Sequence, residues 1–190
     1  ALSFNEFFNL WDPDVMIDTH TSNGADYQYT MTLISTQKDK LHPLLGTFMS
    51  KKMLPSLYAK MDEKGWEMIP YVNSESIPDK GIYGFMDSPR YSSGYAGLHH
   101  TISFMPETHM LKPYRDRVLS TKAFIESTIE FLDQNAKELL QIRKEVFNLV
   151  KTQDKFHLTY SLDKKKPDSL TFKGYTAAYK PSEVSHHDRL

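Results

Sequence analysis

The stretch "DVMIDTHTSNGADY", residues 14–27, decides how the rest of the chain is read. Its first half is a continuous apolar run with β-branched members, which reads as a strand buried on both faces. That strand carries Asp18 and His20 to its end, followed by Asn23 and a turn at Gly24. Side chains alternate along a strand, so Asp18 and His20 share one face. A carboxylate and an imidazole delivered together by an apolar strand are costly unless they have partners or a task.

Working outward, a second strand follows in "YQYTMTLIS" (27–35), and helical spacing runs from 41 to 65, with Pro55 expected to kink or split it and Gly65 to stop it. Upstream, "SFNEFFNLWD" (3–12) reads as a short helix packed on the body and ended by Pro13. "WEMIPYV" (66–72) reads as a further strand, and residues 73–98, dense in Ser, Pro, Gly and aromatics, as a long functional surface loop. "HTISFMPETH" (100–109) is extended again and presents Glu107 and His109 on one face near its end. From Pro113 the apolar spacing is helical, giving one or two amphipathic helices with "DQN" (133–135) as a break and Asn135 as its cap. Beyond 153, "FHLTYSL" and "SLTFKGYTAAY" alternate across the polar turn "DKKKPD", which reads as a hairpin. The fold class expected is α/β: a mixed, mostly buried sheet flanked by helices over residues 1–152, with residues 153–190 starting an appended β segment that holds a C-terminal strand pair.

A length of 190 residues suits one domain with a sizeable core, and 39% hydrophobic residues against 25% charged is a globular balance. The net charge of -1 gives no basic face for a polyanion, so nucleic acid is disfavoured as a partner. With no cysteine there is no disulfide framework and no thiolate, and any metal must rest on His, Asp and Glu. No apolar run approaches the ~20 residues that span a bilayer. Neither a Rossmann nor a P-loop glycine pattern occurs, and "GYAG" (94–97) lacks a nucleophile-elbow serine.

The eight histidines form no His-Glu-x-x-His stretch; Glu183 and His186 stand three apart, in a short tail cluster of low specificity. Taken alone, His20 is better explained as a hydrogen-bonded structural histidine than as a metal ligand. Asp18 behind it has the position of the carboxylate that commonly orients a ligating imidazole. Glu107 reads either as an exposed strand-end charge or as a working carboxylate held in an apolar run, and Arg90 either as a loop charge or as a planar fork for a substrate carboxylate.

Three stretches in order, "DPDVMIDTHTSNGADYQYT" (12–30), "DSPRYSSGYAGL" (87–98) and "FMPETHMLKPYRDRV" (104–118), resemble the C-terminal part of zinc metallocarboxypeptidases of the carboxypeptidase A type, nearest a bacterial subgroup. The likeness covers roughly residues 1–130. It implies metal-assisted hydrolysis of peptide or peptidoglycan-like amide bonds, with His20 as the third zinc ligand, Glu107 as the general base and Asp18 behind His20. It implies substrate-binding roles for Arg90, Tyr95 (or Tyr91) and Asn23, and a periplasmic or secreted setting. The family's first two ligands come from a His-x-x-Glu motif, and none occurs in these 190 residues. The chain therefore reads as a piece of a longer protein, inactive alone and with apolar surface available for self-association. Two rival readings are a non-enzymatic peptide- or glycopeptide-binding domain using the aromatic loop from Ile82 to Leu98, and an assembly module pairing through residues 113–152.

Overall fold

The computed structural model describes residues 2–22, 24–74, 80–176 and 178–189. Its centre is β5 (Ile102–Thr108), all seven residues of which are buried, as an apolar strand between two neighbours must be. On one side β1 (Val15–Ile17) and β2 (His20–Thr21) pair with it in parallel, and on the other β3 (Met31–Ser35) pairs antiparallel. Outermost, β4 (Met68–Pro70) runs parallel to β3, so the sheet is mixed, in the order β1-β5-β3-β4 with β2 continuing the line of β1. The two-face burial read into residues 14–20 belongs instead to β5. The β1 residues are half-buried and the β2 residues exposed, because this line forms the sheet edge.

A proline explains why the edge line is split. Ile102 N–H bonds the Asp14 carbonyl at 3.2 Å and Asp18 N–H bonds the Phe104 carbonyl at 2.9 Å, so the even-numbered residues of β5 face the edge. The next donor along would be residue 106, which is Pro and has no N–H. The ladder lapses at Asp18 and Thr19 and resumes where His20 meets Glu107.

One face of the sheet is covered by α2 (Pro43–Phe48), a π-helical turn (Met49–Met53), α3 (Leu54–Glu63) and α5 (Tyr114–Val150). Met31, Leu33, Ile102 and Phe104 meet Phe48, Met53, Leu57, Met61, Phe124 and Phe131 in one core. Pro55 does not split the α2–α3 segment. Its missing N–H is absorbed by the turn before it, where Leu54 N–H reaches back five residues to the Met49 carbonyl. Nor is there a break at 133–135: α5 is a single helix of 37 residues, and the Asn135 side chain donates to the Phe131 carbonyl within it rather than capping anything. Arg143, almost fully buried, ties α5 to the chain entering β1 through Asp12 (2.6 Å) and Asp14 (2.9 Å) and through the His100 carbonyl (3.3 Å).

The other face carries α4 (Ser92–Leu98), which occupies the end of the expected surface loop. Ser93, Gly94, Ala96 and Gly97 are buried, and a Cβ on Gly94 would collide with the carbonyl oxygens of Asp87 and Ser88, so small residues let this helix sit close. In α1 (Leu2–Trp11) only Phe8 is buried, while Leu2, Phe7, Leu10 and Trp11 are exposed, so the helix is packed far less than its apolar content implies. The expected hairpin after 153 does not form; the described residues 153–176 carry no strand. They run as a strap that passes Lys40 at Tyr160 and Tyr83 at Lys164. The strap then seats Phe172 against Tyr27 and Tyr29. Gln28 N–H donates to the Lys173 carbonyl at 2.9 Å, and Lys173 N–H to the Tyr29 hydroxyl at 3.1 Å. Of its alternating apolar residues Phe172 docks on this aromatic cluster while Phe156, Leu158 and Tyr175 stay exposed, and in place of the expected hairpin the C-terminal ladder is the two-residue pair of β6 (Lys180–Pro181) and β7 (Asp188–Arg189).

Candidate functional site

The register between β2 and β5 sets His20 directly opposite Glu107. Parallel neighbours in register point the same way, and the two side chains meet with His20 Nδ1 3.7 Å from Glu107 Oε1. On its other side, His20 Nε2 lies 2.9 Å from Asp18 Oδ2, which also accepts from the Ser92 hydroxyl at 2.5 Å. His20 thus lies between two carboxylates, bonded to Asp18 through Nε2 and facing Glu107 with Nδ1. At 3.7 Å, Nδ1 and the Glu107 carboxylate are too far apart for a direct hydrogen bond.

Burial differs sharply between the partners. The His20 side chain is 41% exposed and that of Glu107 only 9%. Burial pushes the Glu107 carboxyl above the usual carboxylate range; the His20 imidazole works against this shift and the Asp18 charge adds to it. Tyr71, just past β4, is likewise raised, first by burial and then by the Glu107 charge. Its ring stands edge-on to Phe85, and Phe85 edge-on to Tyr91, so an aromatic line leads toward Glu107. On β3, Thr32 is paired with Glu107, and its buried hydroxyl has no hydrogen-bond partner among the described residues. Ser92, Tyr71 and Thr32 were not singled out from sequence. Their types are commonplace, and only the register and the approach of α4 connect them to His20 and Glu107.

The other sequence candidates fall in different places. Arg90 is exposed on the turn leading into α4, two residues before the Ser92 that holds Asp18. Tyr95 donates its hydroxyl to Asn5 Oδ1 at 2.5 Å, and its ring packs on Phe4, Phe8 and His99, so it fastens α1 to α4. Asn23 lies outside the described residues, while Gly24 beside it takes a φ of 98, the left-handed turn that its position calls for. His109 is fully buried: Nδ1 accepts from Leu111 N–H at 3.1 Å and Nε2 meets Asp26 at 3.1 Å. Burial and the Lys112 charge depress its pKa against the pull of Asp26, which fits a histidine that holds a turn.

For metal chemistry, the sequence names His20 alone as a ligand and Glu107 beside it as a general base. No group of three His, Asp or Glu side chains that could hold a metal ion occurs among the described residues. A catalytic zinc takes three protein ligands, so these residues fit part of such a centre. Among the described residues no helix is long and apolar enough to cross a membrane. No protein-family model matches this chain, and no curated protein matches it significantly.

Proposed function

We propose that this chain is part of a zinc-dependent metallocarboxypeptidase acting on peptide or peptidoglycan-like amide bonds, with the remaining zinc ligands supplied from outside these 190 residues. The observation that supports it best is the in-register pair of His20 and Glu107, with Asp18 behind the imidazole. Asp18 bonds His20 Nε2 and leaves Nδ1 facing Glu107, the orientation a ligating imidazole needs. Glu107 is the proton carrier: burial raises its pKa toward the working range of a general base, which accepts a proton from the attacking water and passes it to the leaving amine. Zinc, when bound, supplies a more acidic water and polarises the scissile carbonyl. Arg90, on the turn that also carries Ser92, is the candidate for gripping a substrate carboxylate.

The deciding experiment uses the longest natural form of the protein and measures bound zinc and peptide hydrolysis side by side. Glu107→Gln should retain zinc and lose roughly 10²–10⁴ in kcat, the usual contribution of a general base. His20→Ala should lose zinc as well. Undiminished hydrolysis by Glu107→Gln would sink the assignment. Ligand binding without any zinc or hydrolysis in the parent protein would favour the non-enzymatic binding domain instead.

A further inference from the structure

The parallel strands β3 and β4 end at Ser35 and Pro70, further along than Thr32, which pairs with Glu107, and Tyr71 lies between the two levels. Three residues of strand separate the two levels, about 10 Å at the usual rise. Chain leaving the carboxyl ends of neighbouring parallel strands diverges, and in open α/β sheets ligands collect in the crevice left there. A cavity of about 840 Å³ opens at this point. Its walls include Ile34, Tyr71, Ile82 and Phe85 from the sheet and the following loop, and Leu170 and Phe172 from the strap. The strap is held over the cavity by its own contacts: Phe172 packs on Tyr29, Lys164 lies over the Tyr83 ring, and Leu162 approaches Gly84. The strap therefore walls one side of a half-open groove.

We propose that this cavity binds an amphipathic anion: a flat aromatic or branched apolar body of drug-like size, carrying one acidic group. The volume falls within the ~300–1,000 Å³ of small-molecule sites and is much larger than one amino-acid side chain requires. The rings of Tyr71, Phe85 and Phe172 offer faces and edges to a flat ligand. Lys38 and Lys80 line the cavity against a single carboxylate, Asp168, so the charge balance favours an anion. Lys38 is shared with Asp39 at 2.7 Å, which makes Lys80 the stronger anchor. The proposal does not depend on the zinc reading.

The test is a fluorescence titration of the whole chain with 8-anilinonaphthalene-1-sulfonate, itself an amphipathic aromatic anion. Saturable binding at one site is expected, weakened by salt and by Lys80→Glu. Leu170→Asp and Ile82→Asp, which place a charge on the strap wall and the loop wall, should each weaken binding about tenfold or more. Leu170 is 48% exposed, so its replacement leaves folding intact, and Leu170→Trp, which adds bulk to the cavity wall without a charge, should weaken probe binding too. Trp11→Ser, on the exposed apolar face of α1, should change nothing. Unsaturable binding, indifference to both Leu170 variants, or loss of the signal in Trp11→Ser would overturn the proposal, because the dye would then be reporting exposed apolar surface.

Discussion

Replacing Arg143 tests how the long helix is anchored to the sheet edge. Its side chain is 6% exposed and reaches Asp12, Asp14, the Asp12 carbonyl and the His100 carbonyl, while its guanidinium lies 5.0 Å from the Phe147 ring centroid. Breaking a fully buried pair costs ~3–5 kcal/mol, because the orphaned partner stays buried. Here the partners are not trapped: the Asp12 side chain is 62% exposed and that of Asp14 36%, so both regain water. What is lost is a set of charge-assisted hydrogen bonds, worth ~1.5–3 kcal/mol each at best and less where water competes, together with packing on Phe147. Arg143→Ala should therefore destabilise by about 2–4 kcal/mol. Asp12→Asn, at the exposed end of the same pair, should cost under ~1 kcal/mol. Urea unfolding followed by far-UV circular dichroism, with slopes checked for two-state behaviour, measures both. Equal effects of the two substitutions, or a cost below 1 kcal/mol for Arg143→Ala, would refute the view that the arginine is the hub and the aspartates its solvated rim.

Three further outcomes follow from the same contacts. Because burial raises the folded-state pKa of Glu107, the folded chain binds more protons than the unfolded one between the ordinary value of 4.5 and the raised value; stability falls as pH rises through that window. Thermal unfolding of Glu107→Gln should thus exceed that of the parent at neutral pH, and the advantage should vanish below pH 4.5; a pH-independent difference would contradict this. Pro106→Ala restores the missing donor opposite the Asp18 carbonyl, so hydrogen exchange should show residue 106 protected and β1 joined to β2, with stability changed by less than ~1 kcal/mol as the new bond offsets the freer unfolded chain. Phe172→Ala, removing a half-buried ring from Tyr27 and Tyr29, should cost about 2 kcal/mol locally and speed tryptic cleavage at Lys164–Lys166, whereas unchanged cleavage would mean that the strap is held elsewhere.

Periodicity made the helices and most strands legible, because burial of one face leaves a repeat in the sequence. It misassigned the places where burial is decided by neighbours far along the chain. The run 14–20 is as apolar as a central strand, yet it forms the sheet edge, and nothing within the run states which side lacks a neighbour. The segments 156–162 and 169–179 alternate like strands, but alternation only says that every second side chain has somewhere apolar to go. Here Phe172 finds such a place, on the Tyr27–Tyr29 cluster about 140 residues earlier, while Phe156 and Leu158 remain exposed. In α5, "DQN" has the composition of a break, and a helix anchored at both ends by Phe124 and Arg143 overrides it.

The candidate site was legible for a related reason. Asp18, His20 and Glu107 are polar residues in apolar runs, and such departures from pattern mark positions where local rules yield to a task. What sequence could not supply was the device that assembles them. Pro106, one residue before Glu107, withholds the N–H that the Asp18 carbonyl would otherwise take. The edge line parts there, between Ile17 and His20, and the Asp18 side chain reaches both the Ser92 hydroxyl and His20 Nε2. Pairing then resumes at His20 and Glu107, fixing the imidazole against the buried carboxylate. A single imino acid in a central strand, not singled out from sequence, thus sets the geometry of both carboxylates around His20.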